Sequence, residues 1–361
     1  MNNFDNVIYS FVNKEEKILS VDPLGNGHIN ATYLVVTDKN KYCLQKINTN
    51  IFKDVDGLMS NIDSVTSHIR EKAISAGKNP IKATLNFISS ESGKKYANVD
   101  GAFYRMYYFV DEAFTIEQME NPVHFYYSGK AFGEFAKMLM DFDASRLVET
   151  IKNFHNTASR YLDFEKAVSD DIAKRAEGVK DEIEFVRKRK DLTSLLVDKL
   201  ANGELPLRVT HNDTKINNVL FDINTVKPVT VIDLDTVMPG SYLYDFGDAI
   251  RSGATHAAED EKDLSKVDFD LELYENFAKG YIEESKNSLT EKEIEMLPYA
   301  SVVLTFECGM RFLTDHLNGD TYFRIHRENH NLDRCRTQFR LVELMMENID
   351  KLKEIINRLA K

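Results

Sequence analysis

The stretch from Leu207 to Asp235 constrains the fold more than any other part of the chain. It reads LRVTHNDTKINNVLFDINTVKPVTVIDLD and places His211, Asp213 and Asn218 in a polar loop after a short apolar run. Two further apolar runs, VLF and VTVIDL, flank a turn, so the loop is predicted to lead into a β-hairpin. Because a hairpin returns the chain to where it started, its last residues are predicted to lie beside the loop.

The spacing His-x-Asp-x-x-x-x-Asn is that of the catalytic loop of protein kinases. In that loop the Asp accepts the proton of the attacking hydroxyl and the Asn ligates Mg²⁺. Asp233, at the returning end of the hairpin, is predicted to ligate the same Mg²⁺ as Asn218, and Asp235 could ligate instead or as well. Asp245 opens a literal Asp-Phe-Gly, but it follows a further Pro-Gly turn and is predicted to lie away from the metal. The alternatives without a catalytic function are that the loop is an ordinary polar turn and that Asp233 is a turn residue at the end of a strand.

The first hundred residues have the pattern of strands around one helix. TYLVVTD and KYCLQKI predict an antiparallel hairpin, ATLNFIS and GAFYRMYYFVD predict further strands, and residues 54–76 have helical periodicity. After Asp111 the apolar spacing becomes helical. We therefore predict an α+β fold, with a small β-rich nucleotide-binding lobe at 1–111 and a mainly helical catalytic and acceptor-binding lobe at 112–361.

The β-rich lobe contains residues suited to holding ATP. Two glycines, Gly25 and Gly27, precede the first hairpin and let backbone N–H groups approach phosphates closely. The neighbouring asparagines, Asn26 and Asn30, tolerate tight turns. Lys46, on the second strand of that hairpin, is placed to reach the phosphates. The residues that would pass the adenine edge are Tyr108, Phe109 and Val110. A plain turn and a surface lysine are the alternatives, and no acidic partner of Lys46 is singled out among Asp56, Asp63 and Glu71.

Composition excludes several classes of partner. The net charge of −12 disfavours nucleic acid and anionic membrane surfaces as partners. The three cysteines are widely spaced, which predicts neither disulfides nor a zinc site. Because the chain also lacks a signal peptide and a long apolar segment, we expect a cytoplasmic soluble protein that binds small molecules. The oligomeric state is not indicated.

With the glycine turn, strand lysine, hinge, catalytic loop and Ile-Asp-Leu-Asp in this order, the chain resembles the aminoglycoside phosphotransferase and choline kinase group of the protein-kinase-like fold. The longer strings THNDTKINNVLFD, VIDLDTVMPGSYLYDFGDAIR, FECGMRFLTDHLNGDTYF and HNLDRCRTQF are similar to the N-acetylhexosamine 1-kinases of this group. Those enzymes use ATP to phosphorylate the anomeric hydroxyl of N-acetylglucosamine or N-acetylgalactosamine.

The resemblance implies that Asp213 is the base that meets the sugar hydroxyl, and that Arg311 and His28 contact the sugar with Tyr322 nearby. From the residues alone, Arg311 has an alternative as the partner of Glu307 one helical turn earlier. His28 could face either phosphate or sugar. Residues that could line the acceptor cleft or cap a helix instead are His155 and Arg160.

Other activities remain open at this point. Within the same fold the acceptor could be an aminoglycoside, choline, homoserine or methylthioribose, and the 2-acetamido group is not selected by any sequence pattern. A catalytically inactive nucleotide-binding module is a further alternative. A metal-dependent hydrolase built on His211 lacks a second histidine at ligand spacing.

Overall fold

The structure is a computed structural model, which describes residues 4–25, 29–117 and 121–361. The strands found there are β1 Ile18–Pro23, β2 Ala31–Thr37, β3 Lys41–Lys46, β4 Ala97–Val99, β5 Ala102–Tyr108, β6 Ala113–Phe114, β7 Arg208–Thr210, β8 Val219–Asp222, β9 Pro228–Val231 and β10 Met238–Gly240. The α-helices are α1 Asp5–Tyr9, α2 Val55–Ser75, α3 Pro80–Ala83, α4 Pro122–Met138, α5 Thr157–Asp170, α6 Lys180–Lys188, α7 Val197–Ala201, α8 Tyr242–Gly253, α9 Leu271–Ser285, α10 Glu291–Leu317, α11 His330–Glu347 and α12 Ile349–Ala360.

The chain divides into two compact units. The smaller comprises Met1–Phe114, Ser145–Lys152 and Leu220–Met238, and the larger comprises Thr115–Ala144, Asn153–Val219 and Pro239–Lys361. The smaller unit therefore takes in two later segments that the single boundary expected at residue 111 does not include. One unit is built on an antiparallel sheet and the other is mainly helical, in agreement with the predicted α+β class.

The sheet of the smaller unit has the strand order β1-β2-β3-β5-β4, with antiparallel neighbours throughout. The predicted hairpin is β2–β3, and its turn is closed by the Thr37 amide, which donates to the Asn40 carbonyl oxygen at 2.9 Å. One face of the sheet packs against α1 in a core that contains Val7, Ile8, Phe11, Val35, Tyr42, Leu44, Ala97 and Met106. Burial of this apolar face holds α1 on the sheet.

The strand predicted at ATLNFIS is wrong. Ala83 ends α3, and residues 84–89 pair with β5 only through an isolated bridge between Phe87 and Tyr107. The side-chain amide of Asn86 donates to the carbonyl oxygens of Ile81 and Thr84 at 2.9 and 3.2 Å, so its side chain bends the backbone locally. A β-rich composition does not reveal this competing hydrogen bonding.

Helices of the larger unit pack in close contact at glycine residues. A Cβ added at Gly280 of α9 would lie 2.0 Å from the carbonyl oxygen of Tyr126 in α4. A Cβ added at Gly247 of α8 would lie 2.5 Å from the carbonyl oxygen of Ala300 in α10. These contacts place α8 against α10 without room for a side chain, so α8 is a rigid support for the residues that it carries. None of the described helices is long and apolar enough to cross a bilayer.

Candidate active site

The loop between β7 and β8 brings Asp213 and Asn218 together in the larger unit. The Asn218 Nδ2 donates to Asp213 Oδ2 at 2.9 Å and to the Asp213 carbonyl oxygen at 2.8 Å. Lys215 Nζ lies 3.0 Å from Asp213 Oδ1, and this carboxylate holds the pKa of Lys215 above its ordinary value. Both Nδ2 hydrogens of Asn218 are thus used within the loop, which leaves its Oδ1 as the atom that can ligate a cation.

Asp245 of α8 binds the backbone of this loop. Its two carboxylate oxygens accept the backbone N–H groups of His211 at 2.9 Å and Asn212 at 2.7 Å. Asn212 has a left-handed backbone with φ of 64°, so the loop turns sharply where Asp245 binds it. Burial raises the pKa of Asp245 to about 6. Both oxygens of Asp245 are used to hold the loop backbone, which gives this carboxylate a structural role and supports the prediction that it is not the metal ligand.

A second carboxylate of α8 supports the other end of the same loop. The Thr214 amide donates to Asp248 Oδ2 at 3.0 Å, and the Thr214 hydroxyl donates to the Asp245 carbonyl oxygen at 2.6 Å. Asp248 Oδ1 in turn accepts from Arg251 Nε and Nη2 at 3.0 and 2.9 Å. One buried helix therefore orients Asp213 through the backbone on both sides of it.

In the smaller unit, Asp233 follows β9, as the predicted hairpin requires. The hairpin β8–β9 is present, and Asp233 has a left-handed backbone with φ of 60° where it starts the short turn Leu234–Thr236. Asp235, in that turn, is 2% exposed and forms a short ion pair with Arg105 Nη1. Its Oδ2 accepts from Asn30 Nδ2 at 2.5 Å. With both of its oxygens engaged, Asp235 is the weaker of the two candidate metal ligands.

The residues predicted to hold the nucleotide differ in backbone conformation and in burial. Gly25 has φ of 70°, which suits a glycine turn, whereas Asn26, Gly27 and His28 lie outside the described residues. The Asn30 side chain is buried, and its Oδ1 accepts from the Asn48 amide at 2.9 Å. Lys46 ends β3 with an exposed side chain.

In the predicted hinge, two of the three backbone N–H groups are used within the unit. Tyr108 and Phe109 donate to the carbonyl oxygens of Asn86 at 3.1 Å and Lys41 at 3.0 Å. Val110 makes no such backbone hydrogen bond in the part of the chain that the structure describes. Of the three hinge residues, the geometry therefore favours Val110 as the donor to an adenine.

The larger unit places Arg311 among aromatic rings and not in an ion pair with Glu307. Its guanidinium carbon lies 5.2 Å from the ring centroid of Phe154, 5.9 Å from Tyr322 and 5.5 Å from Phe323. Glu307 is instead bound by His155 Nδ1 at 2.8 Å and by the Thr157 hydroxyl at 2.5 Å. The alternative of an internal Arg311–Glu307 pair is therefore not what the structure shows.

Glu307 is a buried carboxylate whose two oxygens are both bound within the larger unit. Burial by itself would raise the pKa of Glu307, but the charge of His155 and its hydrogen bond outweigh this and hold the pKa below its usual range. The His155 Nε2 lies 3.4 Å from the carbonyl oxygen of Asn212 and so connects Glu307 to the loop that carries Asp213. Burial, together with the charge of nearby Arg311, lowers the pKa of Arg160. The region around Arg311 thus carries two guanidinium groups and a carboxylate whose oxygens are already bound by His155 and Thr157.

Comparison with known proteins identifies the family. A sequence profile of the phosphotransferase enzyme family matches residues 20–282. The chain belongs to this family. The loop with Asp213 and Asn218 lies within the matched part, as do Lys46 and Asp233.

Solved structures share the fold of this phosphotransferase over nearly its whole length. A microcompartment-associated aminopropanol kinase is 17% identical, with a TM-score of 0.62, and the match covers 96% of this chain and 97% of that one. An aminoglycoside phosphotransferase from Alicyclobacillus acidocaldarius is 11% identical, with a TM-score of 0.62 and coverage of 97% and 95%. An amicoumacin kinase in complex with AMP-PNP and Ca²⁺ is 12% identical, with a TM-score of 0.59 and coverage of 96% and 92%. The predicted protein-kinase-like fold is confirmed.

Sequence reasoning missed three residues that contact or position candidate site residues within their own unit. Lys215 lies two residues after Asp213, inside the motif, and its proximity to the Asp213 carboxylate was readable from that spacing. Arg105 is a lone charge among aromatic residues in β5, a signal of a buried ion pair. Asp315 accepts the backbone N–H groups of residues 321, 322 and 323 at 2.9, 2.8 and 2.9 Å and holds Tyr322 beside Arg311, for which no sequence pattern exists.

Proposed function

We propose that this phosphotransferase is an ATP- and Mg²⁺-dependent kinase of the cytoplasm that phosphorylates the anomeric hydroxyl of an N-acetylhexosamine, giving the sugar 1-phosphate and ADP. Asp213 orients the sugar hydroxyl and accepts its proton as the new P–O bond forms and ADP leaves. Arg311 contacts the sugar, with Tyr322 beside it and His28 as a further contact. Catalysis by these residues is positioning and charge neutralisation, without a covalent enzyme intermediate.

The charge around Arg311 is the observation that carries the choice of a sugar over an amine. An ammonium acceptor needs a carboxylate oxygen that is free to bind it, and both oxygens of Glu307 are already bound, one by His155 and the other by Thr157. Arg311 and Arg160 add two positive charges to the same region and would repel an ammonium group. Guanidinium donors and aromatic faces instead suit hydroxyl and amide oxygens and the apolar face of a pyranose ring.

The residues of the chain also fit the nucleotide and the metal. Asn218 offers an amide oxygen and Asp233 a carboxylate, the hard oxygen ligands that Mg²⁺ takes in phosphoryl-transfer sites, and we propose them as its ligands. The bound ion would neutralise charge on the phosphates. Gly25, Asn26, Gly27 and Asn30 are the proposed phosphate contacts, and the backbone of Tyr108, Phe109 and Val110 is the proposed adenine contact. Lys46, predicted from the sequence as a further phosphate contact, is left out of this proposal because the strand register puts it on the sheet face opposite Arg105 and the turn after β9.

A panel of acceptors tests the proposal. ADP release would be measured with N-acetylglucosamine, N-acetylgalactosamine, glucose, ethanolamine, 1-amino-2-propanol and an aminoglycoside, and ³¹P NMR would locate the phosphate on the product. We expect turnover with the N-acetylhexosamines and phosphate on the anomeric carbon. Turnover with an amine acceptor and none with a sugar would contradict the charge argument.

A matched pair of variants tests the role of Arg311. Arg311→Met is expected to raise the KM for the sugar about tenfold or more, because buried hydroxyls lose their donor, while the KM for ATP stays within about twofold. Arg324→Met is the control, since Arg324 is an exposed arginine of the following segment. Equal effects of the two substitutions on the sugar KM would remove Arg311 from the acceptor site.

A further inference from the structure

The smaller unit contains a buried ion pair that the kinase pattern in the sequence does not predict. Arg105 of β5 and Asp235 are each 2% exposed, and the Arg105 Nε also donates to Gln45 Oε1 at 2.9 Å. Two charges are removed from water together here, which is costly unless their remaining polar atoms are bound. Gln45 on one side and Asn30 on the other provide those bonds.

The register of the sheet separates this pair from Lys46. Gln45 faces Arg105 across β3 and β5, whereas Lys46 faces Tyr104, which packs against the core formed with α1. Directly opposed residues of an antiparallel pair share one face of the sheet, and consecutive residues alternate between faces. Arg105 and Lys46 therefore lie on opposite faces.

Lys46 has no ion pair in the part of the chain that the structure describes. Asp56, one of its candidate partners in α2, is bound by Lys94 Nζ at 2.8 Å and by the Tyr96 hydroxyl at 2.7 Å. The buried cation–carboxylate pair of this sheet is formed by Arg105 and Asp235, and its carboxylate comes from the 3₁₀ turn after β9 and not from α2.

That turn is the one that begins at Asp233. Asp235 anchors it through its side chain, the Thr150 hydroxyl donates to the Asp235 carbonyl oxygen at 3.1 Å, and Asn61 Nδ2 donates to the Val237 carbonyl oxygen at 2.9 Å. Asp233 itself is in the left-handed backbone region, which costs about 1–2 kcal/mol for a residue with a Cβ. The unfavourable conformation at Asp233 persists because the residues that follow are held at several points.

We propose that Arg105 and Asp235 are positioning residues that hold the Asp233 carboxylate in its metal-binding orientation, and that Asn30 couples this turn to the segment after the glycine turn. The inference rests on the proposed role of Asp233 as a Mg²⁺ ligand. It does not depend on the identity of the acceptor. Asp235 acts through Arg105 and the backbone and is not itself a ligand.

Mg²⁺-dependent binding of AMP-PNP, measured by titration calorimetry without acceptor, tests the inference. Asp235→Asn is expected to raise the Mg²⁺ concentration needed for half-maximal nucleotide binding about tenfold or more, as loss of a residue that orients a metal ligand does. Asp56→Asn is the matched control, because it removes a carboxylate from an exposed ion pair of the same unit. It is expected to leave the Mg²⁺ requirement within about twofold.

Further variants separate positioning from simple stabilisation. Arg105→Met leaves Asp235 buried and unpaired and is expected to lower the melting temperature strongly, so the double variant Arg105→Met, Asp235→Asn is measured beside it. We expect the double variant to fold and still to require about tenfold more Mg²⁺, with nucleotide binding restored at high Mg²⁺.

An unchanged Mg²⁺ requirement in folded Asp235→Asn and double variants would overturn the inference, whatever the change in melting temperature. The sugar proposal is tested by a different observation. If wild-type protein binds AMP-PNP with Mg²⁺ but phosphorylates no sugar, the sugar proposal is wrong and the inference about Arg105 and Asp235 is unaffected.

Discussion

Replacing Asp245 with Asn should improve the stability of the protein relative to wild type as the pH rises and should lower its kcat. A pKa raised from 3.8 to about 6 means that the ionised side chain is disfavoured in the folded state by about 3 kcal/mol at neutral pH, at about 1.4 kcal/mol per pH unit. Because the folded-state pKa is the higher one, the contribution of this group to stability is fully present below about pH 4 and is lost as the pH rises through about 6. Asn does not titrate. The stability of Asp245→Asn relative to wild type should therefore improve by about 2 kcal/mol between about pH 4.5 and pH 8.

The same substitution should reduce catalysis. The single amide oxygen of the introduced asparagine can accept only one of the two N–H groups that the carboxylate holds, at His211 and Asn212. A hydrogen bond to a charged group contributes about 1.5–3 kcal/mol, so its loss at the loop that carries Asp213 should lower kcat about 10- to 100-fold. In the wild type, protonation of Asp245 removes the same acceptor, so kcat should fall as the pH decreases through about 6.

Urea unfolding at several pH values and steady-state ADP release check both parts. Asp198→Asn is the control, since it neutralises an exposed carboxylate of the same unit and is expected to change neither quantity. A stability difference between Asp245→Asn and wild type that does not vary with pH would refute the burial argument. Undiminished kcat in that variant would refute the support of the loop by Asp245.

Three further perturbations follow from the structure. Asp213→Asn should lower ADP formation by about 10²- to 10⁴-fold while calorimetry shows nearly unchanged ATP binding, because general-base catalysis is lost and the fold is not. Gly280→Ala should destabilise the protein by about 1–3 kcal/mol in urea unfolding, since its Cβ would meet a carbonyl oxygen of α4, whereas Gly178→Ala, with nothing within 4 Å, should be neutral. Asp315→Asn should raise the KM for the acceptor several-fold and leave the KM for ATP unchanged, because residues 321–323 lose one of their acceptors.

Much of the site follows from short-range order in the chain. The contact between Asp213 and Asn218 follows from a loop of fixed spacing, and the β8–β9 hairpin from two apolar runs around a turn. The preference for Asp233 over Asp245 also follows from chain order, because a hairpin reverses direction within a few residues. Each of these inferences needs only local geometry, which sequence patterns report well.

The residues that sequence patterns did not place are those whose partners are distant in the chain. Gln45 and Arg105 meet through the register of two strands, and Glu307 is bound by His155 from another segment. Neither the register nor the choice among several nearby charges is visible in periodicity. The same limit explains the open choice of an acidic partner for Lys46 in α2.

The sequence by itself determined the phosphotransferase family, the loop that brings Asp213 and Asn218 together, and the presence of a β-rich and a helical part, because spacing and periodicity are local properties of the chain. Only the tertiary structure decided that Asp245 supports the loop, that Asp235 is paired with Arg105, and that Arg311 lies among aromatic rings. The physical reason is that the role of a charged side chain depends on which opposite charges and hydrogen-bond donors lie within contact distance in the folded state. Packing brings those groups together from distant positions in the chain.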